Sequence, residues 1–545
     1  MILFFSFLVA TVLTMVAIPL TVRLAGWLHA ADLPNDRKIH KTPMSRLGGV
    51  AMATGALLPV FMWAPRQPRL AGFLAGVAVL LFFGIWDDIK GIDYRLKFLG
   101  QLIAVAVVIS YGDVVISHLP FFGLDPVPMY LAVPLTIFAL VGITNAVNLA
   151  DGLDGLASGI VLLSVGTIAI LAYMAGDQSV ILISVSVMGS ILGFLRFNTY
   201  PASTFMGDTG SQFLGFSVGV LVVMLTQQAD TTLSTALPLL ILGLPILDTV
   251  TVIAERLYER RSPFLPDKKH LHHKLLGLGF DHYEAVFVIY LLQSLLIVTA
   301  YFLRFESDWL IILVYATFCA ALVAALRLAI ARNWRMHHHK PGANSPVVPA
   351  WIRWLRQDQR ILKAGFYCAV VAINSYFLLG VVFVQSVPKD IGALAFLLLI
   401  PLLMLYFRYR SKPFHIVERA SLYIAVICLV YLVQVTPGIA PDLALYRNIL
   451  FGAMMLAVVI GFRFSKERFR PTPTDFLVIF MALVVPNLPD SNINAHATGM
   501  SIAMLIVLFY SIELVLNNIW HGWDAMRFAT YLTLGVLGFR AWFTA

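Results

Sequence analysis

Charge is scarce in this chain of 545 residues. Aspartate, glutamate, lysine and arginine together make up 12% of it, against 60% hydrophobic residues. That excludes an ordinary soluble globular domain. Windows such as Phe73–Ile85, Leu156–Ala175 and Ile391–Phe407 are nearly free of charge. Cysteine is scarcer still. Cys319, Cys368 and Cys428 all sit in apolar runs, so they read as packing residues and not as a disulfide framework. The short alternating segments of a membrane β-barrel are missing. No basic segment precedes the first apolar run, which is long enough to span, so it reads as an uncleaved span and not a signal peptide. No internal repeat is visible.

What is present is a series of apolar runs of about 20 residues, the length that crosses a bilayer as a helix. The expected fold is an all-α polytopic membrane protein. About eleven spans lie near 3–22, 47–64, 70–86, 98–117, 129–147, 156–175, 179–196, 211–226, 232–253, 284–303 and 309–331. A basic segment follows. About seven more lie near 364–387, 391–407, 419–435, 445–462, 474–488, 499–517 and 525–542. The expected organisation is a core over 1–335, a linker over 336–363 and a C-terminal membrane domain over 364–545. The run His337-His-His reads as part of that solvated linker.

Lysine and arginine concentrate in alternate loops, which places the N-terminus outside. The net charge of +9 then belongs to inner loops facing anionic lipid and anionic substrates, with no nucleic acid implied. On this topology four acidic clusters reach the same inner side. They are Asp87-Asp88, Asp151-Gly-Leu-Asp154, Gly207-Asp208 and Asp248. A carboxylate in or near hydrocarbon is expensive and marks a functional site by default.

Each cluster has a chemical and a plainer reading. Paired Asp87 and Asp88 can share a divalent cation or divide base and orienting roles, with Lys97 nearby for a phosphate; they also suit a helix-end anchor. Asn145 and Asn148 share a helix face, and Asp151 and Asp154 add acceptors for a metal, a ribose or a base edge. An Asx-rich turn explains some of these residues, but not so many polar groups between two apolar runs. The segment Asn198 to Ser211, with Phe205, Gly207 and Asp208, is a glycine-rich turn entering a helix, suited to anions; it is not a Walker A loop. The loop Arg261-Ser-Pro-Phe-Leu-Pro-Asp267-Lys-Lys-His270-Leu-His272-His273-Lys274 offers phosphate ligands better than a zinc site. The basic loop Asp36 to Gly49 reads equally well as an anchor.

The order of Arg46-Leu-Gly-Gly, Asp87-Asp88 with Lys97, Asn-x-x-Asn-x-x-Asp-Gly-x-Asp-Gly, Phe-Met-Gly-Asp-x-Gly-Ser and His-x-His-His resembles the polyprenyl-phosphate N-acetylhexosamine-1-phosphate transferases. It is most similar to the branch that uses undecaprenyl phosphate and N-acetylglucosamine in bacterial surface polysaccharides, such as lipopolysaccharide O-antigen. The likeness covers 1 to about 335. It implies a Mg²⁺-dependent enzyme, with Mn²⁺ as a substitute, at the cytoplasmic face of the inner membrane. The polyprenyl phosphate attacks the β-phosphorus of a UDP-N-acetylhexosamine and UMP leaves. By the resemblance, Asp208 holds Mg²⁺ with help from Asn148. Asp87 and Lys97 serve the lipid phosphate, and Asp87, Asp88, Asp208 and His272 form the catalytic set. Asp151, Asp154, Asn198, Phe205, Arg261, His270 and His273 bind the sugar nucleotide. The implied partners are both substrates, the bilayer and, as one assembly state, a homodimer.

A phospho-N-acetylmuramoyl-pentapeptide transferase shares the chemistry, but its late loop carries three adjacent histidines. A transporter or flippase is a different class; it would place ionisable groups near the midplane, in paired repeats. Residues 364–545 match no family by their motifs. Glu513 is the intramembrane acid there.

Overall fold

The computed structural model describes residues 2–28, 30–32, 44–119, 126–227, 232–260, 262, 269–337, 360–384, 386–409, 416–435, 441–464, 498–517 and 523–543. Among these the regular secondary structure is helical, apart from one antiparallel pair of two-residue strands, β1 (Ala31–Asp32) and β2 (Met44–Ser45). The described residues fall into two compact units, one within 2–337 and one within 360–543. The expected span 474–488 and most of the expected linker lie outside the described residues.

The first unit runs α1 (Ile2–Trp27), α2 (Gly48–Trp63), α3 (Pro68–Lys90), α4 (Tyr94–Gly112), α5 (Met129–Ala150), α6 (Leu156–Ala175), α7 (Gln178–Asn198), α8 (Gly207–Thr226), α9 (Pro238–Ile241), α10 (Gly243–Tyr258), α11 (Leu271–Gly277), α12 (His282–Phe302) and α13 (Asp308–Ala331). Ten described helices in the whole chain are long and apolar enough to cross a membrane, nine of them here. After Asp208, α8 carries no charge on any face, so it belongs inside a bundle. It is indeed the central helix, packed by α2, α3, α5 and α6. Beside it, Gln101 of α4 bonds Asn145 of α5 (2.7 Å) and Gln212 of α8 (3.3 Å). Such intramembrane amide contacts contribute about 0.6 kcal/mol each.

The expected ninth span, 232–253, is not one helix. It breaks after Ile241 into the short α9 and the longer α10, which runs on to Tyr258. Pro238 and Pro245 bracket the break, and each lacks the N–H a continuous helix needs. The first span also runs five residues past its expected end, to Trp27. α13 stands apart from the bundle: Ile311 is its one buried residue, and Tyr315 Oη donates to the Gly243 carbonyl at 2.9 Å.

The second unit contains α14 (Arg360–Phe383), α15 (Lys389–Tyr409), α16 (Ile416–Val435), α17 (Pro441–Phe464), α18 (Thr498–Asn517) and α19 (Trp523–Phe543). Its interior holds an ion pair: Arg527 meets both oxygens of Glu418, at 2.9 and 3.1 Å, and Tyr531 adds a third bond at 2.9 Å. Both charged side chains are buried, a geometry in which the bidentate fork offsets desolvation. The side chain of Glu513 lies outside the described set.

Candidate active site

The site starts at the N-terminus of α8. Gly207 turns the chain there with φ of 66°, and a Cβ on it would lie 2.2 Å from the Arg46 carbonyl and 2.6 Å from the Asp88 carboxylate. Only glycine fits. Asp88, near the end of α3, accepts the Asp208 amide at 2.8 Å, the Thr209 amide at 3.0 Å and the Thr209 hydroxyl at 2.5 Å. A carboxylate is favoured at a helix N-terminus, where amides lack internal partners. Asp88 is therefore spent on holding α8, and the Asp208 side chain faces the other way.

There it meets Lys97 of α4. The ammonium lies 3.1 Å from Asp208 Oδ1 and 2.6 Å from Asp87 Oδ2. Asp87 also accepts the Ile92 amide at 2.8 Å, which closes the turn from α3 to α4. Asn148 donates to Asp208 at 3.1 Å and is itself oriented by Ser211, which donates to its carbonyl oxygen at 3.1 Å. Four helices thus supply Asp87, Lys97, Asn148 and Asp208 to one point.

The loop between α5 and α6 borders this cluster. Asp151 is half-buried there. Desolvation, then the fields of Asp208, Asp154 and Asp88, push its carboxyl up to about 7. Asp154 accepts the Ala202 amide at 2.9 Å. Asn198 braces the same region: its oxygen accepts the Gly155 amide at 2.9 Å, and its nitrogen donates to the Thr204 carbonyl at 3.0 Å. At 2% exposure it has both ends engaged. Phe205 is half-buried, and its backbone pairs with Ser45 and Gly48.

The histidine segment folds onto this loop. Asp248 of α10 sets the start of α11, accepting the Leu271 amide at 2.7 Å and contacting His270 Nδ1 at 2.8 Å. His272 then lies over Gly152, so closely that a Cβ at 152 would be 2.2 Å from His272 Nε2. Burial, aided by His273, pushes the His272 imidazole down to about 4, so it is neutral around pH 7. His273 packs against it with ring centroids 4.2 Å apart. Arg261 and Asp267, like Asp36 to Lys41, lie outside the described residues. His337 reaches Glu284 at 2.8 Å, next to the capping box of Asp281 and Glu284; His338 and His339 are not described.

Residue-type reasoning passed over Thr209, Ser211 and Gln101. The signal for the first two was present in Asp208-Thr-Gly-Ser211: hydroxyls in a helix's first turn, beside a carboxylate. The link from Asp248 to His270 spans 22 positions and has no local signal.

A profile of glycosyl transferase family 4 matches residues 70–226, which contain all of the Asp87–Asp208 cluster. A probable undecaprenyl-phosphate N-acetylglucosaminyl 1-phosphate transferase of Bacillus subtilis is 36% identical over 56% of this chain and 86% of the relative. The chain belongs to this family. A decaprenyl-phosphate N-acetylglucosaminephosphotransferase of Mycobacterium leprae is 34% identical over 52% of the chain and 79% of its own length. An undecaprenyl-phosphate alpha-N-acetylglucosaminyl 1-phosphate transferase of Escherichia coli K12 is 29% identical, over 54% and 82%. Each of these alignments spans little more than half of the present chain. In the family's terms, the chain is a phosphoglycosyltransferase and a multi-pass membrane protein.

Proposed function

We propose that the first unit transfers N-acetylglucosamine 1-phosphate from its UDP-sugar to undecaprenyl phosphate, on the cytoplasmic face of a bacterial inner membrane. The product would serve surface-polysaccharide synthesis. One oxygen of the lipid phosphate attacks the β-phosphorus of the donor. The bond from that phosphorus to the bridging oxygen breaks, and UMP leaves with the electron pair. The products are UMP and polyprenyl diphospho-N-acetylglucosamine.

The observation that carries this reading is Lys97 between Asp87 and Asp208, beside Asn148 at the N-terminus of α8. Two anionic phosphates must approach each other, so fixed donors and cations are needed where they meet. Lys97 supplies an ammonium for the lipid phosphate. Asp87 orients it, or takes the one proton a phosphate monoester retains near its second ionisation. Asp88 positions Asp208 through the α8 backbone. Asp151 and Asp154 flank the sugar-nucleotide side, and His270, His272 and His273 close over it.

The acceptors beside Lys97 are carboxylate oxygens of Asp87 and Asp208, while Asn148 turns its amide nitrogen to Asp208 and its oxygen to Ser211, so an amide flip would bring a third oxygen to the set. That set suits a hard divalent cation, and Mg²⁺ is the proposed one, held mainly by Asp208 and Asn148. When bound, it supplies charge neutralisation at the diphosphate. The orientation rests on the basic inner loops. UMP release by purified protein given undecaprenyl phosphate, Mg²⁺ and a panel of UDP-sugars tests the reading, and silence with every sugar would reject it.

A further inference from the structure

The loop that carries Asp151 and Asp154 is held from behind by α12. Gly155 ends that loop and opens α6, with φ of 78°. Its amide donates to Asn198 of α7 at 2.9 Å. Its carbonyl accepts the Gly159 amide at 2.9 Å and the Ser158 hydroxyl at 3.1 Å, both local to the first turn of α6. A third and shorter bond comes from 135 positions away: Tyr290 Oη of α12 donates to the same carbonyl at 2.6 Å.

Tyr290 is fully buried. A phenol in an apolar interior needs an acceptor, and leaving it without one costs more than the bond itself contributes. α6 makes room for the ring at Gly159, where a Cβ would lie 2.0 Å from the phenol oxygen. Glycine inside a helix costs about 1 kcal/mol against alanine, so the notch is a cost that the close approach of Tyr290 offsets.

α12 grips the loop a second time. His282, two turns before Tyr290, hydrogen-bonds the Asp154 backbone and stacks on Tyr200 with ring centroids 4.2 Å apart. Tyr283 beside it donates to the Tyr200 carbonyl at 3.1 Å. The Asp154 carboxylate, in turn, accepts the Ala202 amide. Asp154 and Gly155, adjacent in the chain, are thus both tied to one helix. The same helix starts four residues after α11 ends and packs on it. α11 carries His272, which lies over Gly152 of the loop. One rigid element therefore holds the acidic loop directly and the histidine helix through a short connection.

We infer that Tyr290 is a positioning residue for the transfer: through Gly155 it fixes how far the Asp151–Asp154 loop stands from His272, and so the gap that receives the sugar nucleotide. This rests on the proposed reading of that gap. Tyr290 touches no substrate, being enclosed between α6 and α12. Its influence passes through the loop and bears on the donor side alone, because Lys97 and Asp87 stand on α4 and α3.

The test uses the full chain in mild detergent, with UMP release measured against each substrate in turn. Tyr290→Phe keeps the ring and removes one hydrogen bond. It should raise KM for the UDP-sugar about fivefold, the scale of one such bond, and leave KM for the polyprenyl phosphate unchanged. Gly159→Ala pushes a methyl group against the phenol and should move the same parameter in the same direction. In an Asp154→Asn background Tyr290→Phe should add little, since the two act as one unit. Equal changes in both KM values, full additivity with Asp154→Asn, or a lower Tm with both KM values unchanged would make Tyr290 a structural brace and overturn the inference. Silence of wild type with every sugar would reject the proposed function instead, and hydrogen exchange then decides about Tyr290. Tyr290→Phe should speed exchange of the 151–155 amides while leaving α10 as it was, and unchanged exchange in the loop overturns the inference.

Discussion

Asp88 on α3 accepts two hydrogen bonds from Thr209 on α8, one from its amide and one from its hydroxyl. The neighbouring Asp87 instead faces Lys97. Two adjacent carboxylates, similar in sequence, thus do different work. Asp88→Ala leaves three donors without their acceptor, which costs about 1–3 kcal/mol for each buried group left unpaired. The expected outcome is a lower Tm together with lost activity. Asp87→Asn should keep the Tm and lower kcat. Thermal melts in detergent beside rate measurements separate the two, and equal Tm losses would remove the distinction.

Lys97 is the sole cation seen to bridge Asp87 and Asp208 among the described residues. Lys97→Met should raise KM for the lipid phosphate and cut kcat/KM by about 100-fold or more, the scale of losing a fixed charge at a reacting phosphate. Lys97→Arg should rescue poorly, because a planar fork cannot place one nitrogen against both carboxylates. Full activity of Lys97→Met would move the lipid phosphate elsewhere.

Asp248 acts through His270 and the α11 N-terminus. Asp248→Asn should raise KM for the sugar nucleotide by about tenfold, the low end for removing an orienting partner of a histidine ligand, with little change in KM for the lipid. His272→Ala should shift the same parameter. Equal shifts in both KM values would mean a general structural defect.

Asp151 supplies a pH signature. Between its usual 3.8 and about 7, the folded protein holds a proton that the unfolded chain has released. Stability of the metal-free protein therefore falls as pH rises through that window. Asp151→Asn should flatten the dependence, and melts between about pH 5 and pH 8 read it. Conversely, cation affinity should rise as Asp151 ionises towards pH 8.

The legible part of this protein was its apolar periodicity and its motif order. Charge-free runs gave the helices because each is as long as the bilayer is thick. The break after Ile241 was missed because 233–247 is apolar but for Ser234 and Thr235 and long enough to read on into one span, although Pro238 and Pro245 marked it. The site's residue types were readable, but not who holds whom. Nothing local says that Asp88 caps α8 while Asp87 meets Lys97, since the two face apart by one helical step of about 100°. Likewise the meeting of His272 with Gly152 depends on where α10 sets α11 down. Nor does anything local say that the buried Asn198 amide bridges Gly155 and Thr204.

We propose that Asp208, turned out from the α8 N-terminus, makes this sugar-phosphate transferase cation-dependent. The direct measurement is UMP release from UDP-N-acetylglucosamine and undecaprenyl phosphate at limiting Mg²⁺, by wild type and by Asp208→Asn. Wild type should release UMP in a Mg²⁺-dependent way. The folded variant should be slower by about 100-fold or more, the scale of losing a ligand charge at a reacting diphosphate. Near wild-type release by Asp208→Asn at limiting Mg²⁺ would contradict it.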